Sequence, residues 1–97
     1  MSRKIYIVQG SRGEYSDHVE WLVKSFFSRA KARDMVQKCG AEHRRILVEW
    51  KAAAGNEYLD WHNLKAYDIK PHAYDDQWET DYSGTNYNVI ECELEEE

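Results

Sequence analysis

Ninety-seven residues with 42% hydrophobic and 32% charged side chains make one globular domain, 1–97, with room for a single modest core. That balance excludes a disordered chain, and a net charge of −5 argues against a surface that coats bare nucleic acid or an anionic membrane over its whole extent. Two cysteines, Cys39 and Cys92, with no CxxC pair, form no disulfide framework and read as reduced thiols of an intracellular protein.

Residues 3–9, RKIYIVQ, are β-branched and aromatic and stop at Gly10, which predicts a strand with Ile5 and Ile7 on one face and Tyr6 and Val8 on the other. The apolar run 5–8 is too short for a signal peptide, and no run approaches the roughly 20 residues of a membrane span, so no membrane partner is expected. Residues 11–18 are polar and read as a loop. Residues 19–27, VEWLVKSFF, predict a second strand; both of its faces are partly apolar, which predicts cover on both sides of the sheet.

Ser28 is a good helix N-cap, although Lys31 denies it a capping box. Ala32, Val36, Cys39, His43, Ile46, Trp50 and Ala53 then recur at steps of four and three, one face of a helix. The phase runs through Gly40, which favours one helix over 29–54 closed by Gly55, with two helices broken at Gly40 as the alternative. The stripe is what a sheet-covering helix needs; it would also suit a homodimer seam, and the chain's own sheet is the favoured seat.

Residues 56–86 are harder to read. Tyr58, Leu59, Trp61 and Leu64 suggest a short helix, and 71–85 look like loop. A segment of this length without regular structure points to function or to structure hidden from the pattern. Residues 87–94, YNVIECEL, predict a last strand with Ile90, Cys92 and Leu94 on one face. The order β-β-α-β predicts an α+β fold, a three-stranded, mainly antiparallel sheet packed on one long helix.

The charge is split. Residues 1–55 hold eleven Lys/Arg against six Asp/Glu, a formal +5, and residues 56–97 hold two against twelve, a formal −10. Arg29, Lys31, Arg33, Lys38, Arg44, Arg45 and Lys51 make the helix basic. They read first as a solvated face, then as partners of the chain's own acidic segment, and last as a phosphate-contacting face. In the second half, Asp60, Asp68, Asp75, Asp76, Glu79 and Asp81 alternate with Tyr67, Tyr74, Trp78 and Tyr82. This is either a solvated loop with its rings on the core or an acidic aromatic surface for a basic partner. In the second case the carboxylates stand where phosphates would, and the rings supply desolvated anchors.

Signals for chemistry are weak. Ser16, Asp17 and His18 hold the residue types of a catalytic triad, but contiguous loop residues rarely converge into its geometry, and Glu14, Tyr15, Ser16 and Asp17 read better as shaping the turn between strands. His72 with Asp75 and Asp76 offers three local metal donors and no second histidine nearby. His43 lies on the apolar stripe, His62 has no paired nucleophile, and Cys39 and Cys92 both fall on predicted inward faces. There is no P-loop, GxGxxG or HExxH motif, and Gly10 to Gly13 come after a strand with no helix opening behind them, a poor anion site.

KIYIVQG, GEYSD at 13–17, Glu20-Trp21, and Lys31, Ala32 and Val36 behind a Ser-capped helix start together resemble small phage- and prophage-encoded proteins of unknown function. The resemblance covers about residues 4–39 and implies a β-β-α start, with no catalytic residues to carry over. The acidic second half is similar, in charge alone, to phage anti-defence proteins of the anti-CRISPR type. The resemblance and the charge pattern together lead to the expectation of a small non-enzymatic phage or mobile-element protein, cytoplasmic in its host cell. It would bind and inhibit a host nucleic-acid-binding defence complex through Asp68, Tyr74, Asp75, Asp76, Trp78, Glu79, Asp81 and Tyr82, with no cofactor and no metal. One alternative is a nucleic-acid-binding or regulatory module that uses the basic helix, shielded by its own acidic half. Another is a small metal-dependent enzyme built on His72, Asp75 and Asp76.

Overall fold

The extended segments are rich in β-branched and aromatic residues, and Ser28 and Gly55 bracket the long periodic one. A computed structural model, describing residues 2–14, 16, 18–55, 61–80 and 84–95, gives the order β1 (Ser2–Arg12), β2 (Val19–Phe26), α1 (Arg29–Ala54), a 3₁₀ helix (Trp61–Tyr67) and β3 (Thr85–Glu95). The sheet order is β2-β1-β3, with both pairs antiparallel. This is the α+β fold with a single long helix that the pattern predicts.

Two strands run further than their patterns suggest. β1 continues through Gly10 to Arg12, and β3 starts at Thr85. Gly10 is therefore not a strand end. It sits opposite Trp21 on one side and Tyr87 on the other. A Cβ built on it would come 2.5 Å from Trp21 Cε2, so the missing side chain seats the indole.

The mixed pattern of β2 has a specific cause. Val8 pairs with Lys24 but Gln9 pairs with Leu22, so β2 carries one extra residue, Val23, in a bulge. The bulge switches the parity of the strand, and Trp21 and Phe26 lie on the same face as Gly10 and Tyr6. Leu22 falls on the opposite face and is 55% exposed. Among the described residues, α1 covers only one face of the sheet, so the expectation of cover on both sides is corrected. The open face carries Ile5, Ile7 and Ile90, with exposed Leu22, Cys92 and Leu94. Cys92 is thus exposed, against the inward placement expected for it.

α1 is continuous through Gly40. Ser28 Oγ accepts the Lys31 N–H at 3.2 Å, and Gly55, at φ 66°, closes the helix by donating its N–H to Lys51 O. Ala32, Cys39, His43 and Ile46 are buried. Val36 and Trp50 are half-buried and Ala53 is exposed, because the helix outruns the sheet at its C-terminal end. There it is met by the segment that the sequence leaves irregular. Ile46 clusters with Leu64, Ile69 and Trp78, and Trp50, Tyr67 and Tyr87 pack around them.

That segment is therefore core. The 3₁₀ helix ends on Asp68 at φ 59°. The Asp68 N–H bonds Lys65 O and the Ile69 N–H bonds Leu64 O, the paired bonds of a left-handed helix stop, which Asp tolerates. The Arg45 guanidinium then holds Lys70 O and Pro71 O at 3.1 Å each. Tyr58 and Leu59, proposed for the short helix, lie outside the described residues.

Gly10→Ala is expected to lower stability by about 1–3 kcal/mol through overpacking against Trp21. Urea unfolding checks this, and an unchanged midpoint would mean that the indole does not depend on the glycine.

Candidate functional site

The segment 72–78 crosses the sheet end and drops a carboxylate into the interior. Asp75 is 2% exposed. Its Oδ2 accepts the Trp21 Nε1–H of β2 and the Tyr87 O–H of β3, both at 2.8 Å, and its Oδ1 accepts the Gln77 N–H at 3.0 Å. His72 completes the turn. Its Nε2 donates to Cys39 O of α1 at 2.9 Å, while its Nδ1 accepts the N–H groups of Tyr74 and Asp75. Below it, Trp78 Nε1 donates to His43 Nδ1 at 3.1 Å. β2, β3 and α1 are joined through this hub.

The chemistry of the hub is that of a structural network. Burial, and then the bond to Asp75, push the Tyr87 phenol far above its ordinary range, so it remains a donor. Burial, with Asp75 and Glu42 adding to it, pushes the Cys39 thiol up to about 11, which leaves little thiolate for nucleophilic attack at neutral pH. Burial, followed by the nearby His72 and Arg44, lowers the pKa of His43, keeping its Nδ1 free to accept from Trp78. His72 and Asp75, two of the three metal donors considered from sequence, spend their lone pairs on these bonds. Among the described residues no group of three or more His, Cys, Asp or Glu side chains is placed to hold a metal ion.

The expected partner-binding residues divide. Asp75 and Trp78 are buried and belong to the hub and the core, so neither presents itself on a surface in the way the alternating pattern suggests. Glu79 is partly buried, with its Oε1 2.6 Å from Arg12 Nε. Asp68, Tyr74 and Asp76 are exposed, and Lys38 stands over the Tyr74 ring. Asp81 and Tyr82, with Asp60, lie outside the described residues. The structure does bring Asp76, Trp78 and Glu79 together with Val19, Glu20 and Trp21 around one surface pocket of about 480 Å³. Glu20 and Trp21 were not singled out from sequence for this role; they lie more than fifty positions upstream and arrive through sheet pairing. Glu20 is bonded by Gln9 Nε2 at 3.0 Å and by His18 Nε2 at 2.9 Å. His18 also bonds Gly13 O, so it is engaged in the turn, and Asp17 of the considered triad lies outside the described residues.

The charges of α1 are sorted by flank. Asp34, Lys38, Glu42, Arg45 and Glu49 fall within about 80° of arc and pair among themselves: Asp34 with Lys38, and Arg45 with both Glu42 and Glu49. The bond to Arg45 comes first in lowering the Glu42 pKa. On the other flank, Arg29, Arg33, Arg44 and Lys51 share about 60° of arc with Gly40 and with no acidic residue of the helix. Arg29 meets Glu91 of β3 at 2.9 Å. Arg33, Arg44 and Lys51 make no ion pair among the described residues. Self-pairing with the acidic half therefore reaches the helix at Arg29, while Arg12 of β1 takes Glu79.

No family model, curated protein or solved structure matches the chain. Among the described residues no helix is long and apolar enough to cross a membrane.

Because burial lowers the His43 pKa below its usual 6.5, the unfolded chain takes up a proton there before the folded chain does. Unfolding free energy is expected to be complete above pH about 6.5 and to fall below it by up to about 1.4 kcal/mol per pH unit. Glu42, also lowered, adds its own loss only below its usual 4.5. His43→Gln keeps an acceptor for Trp78 and should remove the upper limb. Superimposable pH profiles of parent and variant would place His43 outside the acid response.

Proposed function

We propose that the chain is a non-catalytic binding protein whose pocket at the β2 edge receives arginine or lysine side chains of a protein partner. The observation that carries this reading is the composition of that pocket: the Glu20, Asp76 and Glu79 carboxylates around the edges of Trp21 and Trp78. Carboxylates attract and orient a guanidinium or ammonium group, and aromatic walls add cation–π attraction and desolvated contact. The walls are rigid, since Trp21 and Trp78 are fixed by their bonds to Asp75 and His43, so little ordering cost falls on binding.

A surface that displays such cations in number is one built to hold nucleic acid. In its concrete form the partner is a host nucleic-acid-binding defence complex, and the chain is an anti-CRISPR-like inhibitor from a phage or mobile element acting in the host cytoplasm. The reading requires no turnover and no cofactor. It also differs from the surface drawn from sequence, because Asp75 and Trp78 support the pocket from within while Glu20 and Trp21 join it.

Glu20→Gln with Asp76→Asn is expected to weaken binding of a labelled Arg-rich peptide, and capture of such host complexes, by about tenfold. Glu93→Gln with Glu95→Gln, the same change in net charge at the far end of β3, should have little effect. Equal binding by the parent and the pocket variant would remove the acidic pocket from the interaction.

A further inference from the structure

The edge of the sheet opposite that pocket carries a second, oppositely charged feature. Between α1 and β3 runs a groove of about 450 Å³, with Val36 and Tyr87 as its apolar wall and Gln37, Arg44 and Asn86 as polar lining. Gly40 also lines it. A glycine in mid-helix weakens the helix, and close packing does not demand this one. A Cβ built there meets only the far end of the Arg44 side chain, Nη1 at 3.4 Å. The missing side chain keeps the groove open. The groove lies beside the flank on which Arg33, Arg44 and Lys51 stand without ion pairs among the described residues, spread over about 27 Å of helix at 1.5 Å per residue.

We infer that this groove and the flank beside it bind single-stranded nucleic acid, with one unstacked base in the groove and the backbone phosphates along Arg33, Arg44 and Lys51. Charge fixes the class of ligand, because three cations in line with no carboxylate among them fit a polyanion. The groove favours a single strand. It offers an aromatic wall for a base face and two amides, Gln37 and Asn86, whose donors and acceptors match base edges, while a duplex keeps its bases stacked and paired. The site shares no residue with the acidic pocket and stands or falls independently of it.

The test is fluorescence anisotropy at low salt with a short labelled single-stranded oligonucleotide of mixed sequence and a hairpin duplex of the same sequence. The intact chain is expected to prefer the single strand, with log affinity falling against log salt at a slope of about −2, as three phosphate contacts imply. Arg33→Gln with Arg44→Gln and Lys51→Gln should abolish binding and the salt slope together. Gly40→Leu fills the groove and also improves the helix, so it should raise Tm while weakening single-strand binding about tenfold, in proportion to one lost base stack. Asn86→Ala, on the strand side of the groove, should weaken binding several-fold without touching the helix. A folded Gly40→Leu that binds as tightly as the parent, or a parent that prefers the duplex, overturns the groove. A parent that binds neither oligonucleotide at low salt overturns the whole inference.

Discussion

A single buried carboxylate holds this molecule in one arrangement. Asp75 takes hydrogen bonds from an indole on β2, a phenol on β3 and a backbone N–H of its own turn, and the adjacent His72 ties the same turn to a carbonyl of α1. A chain of this size has little apolar area with which to set the position of a long connection. Hydrogen bonds to a charged acceptor in a low-dielectric interior are directional and strong, and their loss strands several buried donors at once. The apolar cluster of Ile46, Leu64, Ile69 and Trp78 supplies the burial, while the carboxylate decides which loop covers it and at what angle.

The hub also redistributes the residues from which function might be built. Histidine, cysteine, tyrosine and aspartate meet within it, as they do in many catalytic sites, but the histidine, tyrosine and aspartate side chains are bonded to other parts of the fold and burial holds the thiol protonated. Among the described residues, the charged features left for partners lie at the two edges of the sheet. At the β2 edge, carboxylates surround two fixed indoles. At the β3 edge, Arg33, Arg44 and Lys51, without ion pairs among the described residues, stand beside a groove. Among the described residues, the opposite charges of the two halves of the sequence meet where Arg29 and Lys4 reach Glu91 and where Arg12 reaches Glu79.

Periodic features were legible in the sequence. The Ser28 cap, the phase of the stripe through Gly40 and the Gly55 stop define α1 to the residue, and runs of β-branched and aromatic residues place all three strands, though not their ends. Features created by pairing were not. The bulge at Val23 is a property of two strands in register, and from β2 alone its parity switch looks like two apolar faces. Gly10 looks like a terminator until Trp21 is laid across it. Segment 61–80 has no period because its residues are anchored one by one, Asp68 by backbone geometry, His72 and Asp75 by hydrogen bonds, and Leu64, Ile69 and Trp78 by burial. For the same reason Asp75 and Asp76, adjacent and identical in type, have opposite fates, one at the centre of the hub and the other at the surface. The one available hint was the neighbourhood of Asp75, a histidine three positions before it and a tryptophan three positions after it, whose polar atoms need partners once buried.

The two hydrogen-bonded indoles have a practical consequence. Trp21 and Trp78 reach the interior from β2 and from the loop, and each spends its N–H on a titratable group, Asp75 in one case and His43 in the other. Only the edges of the two rings reach the pocket at the β2 edge, and lifting segment 72–78 away from the sheet would uncover the rest. Trp50 on the long helix and Trp61 share the intrinsic emission with this pair, so the part of the signal carried by Trp21 and Trp78 gauges the seating of that loop, while helical circular dichroism gauges the helix.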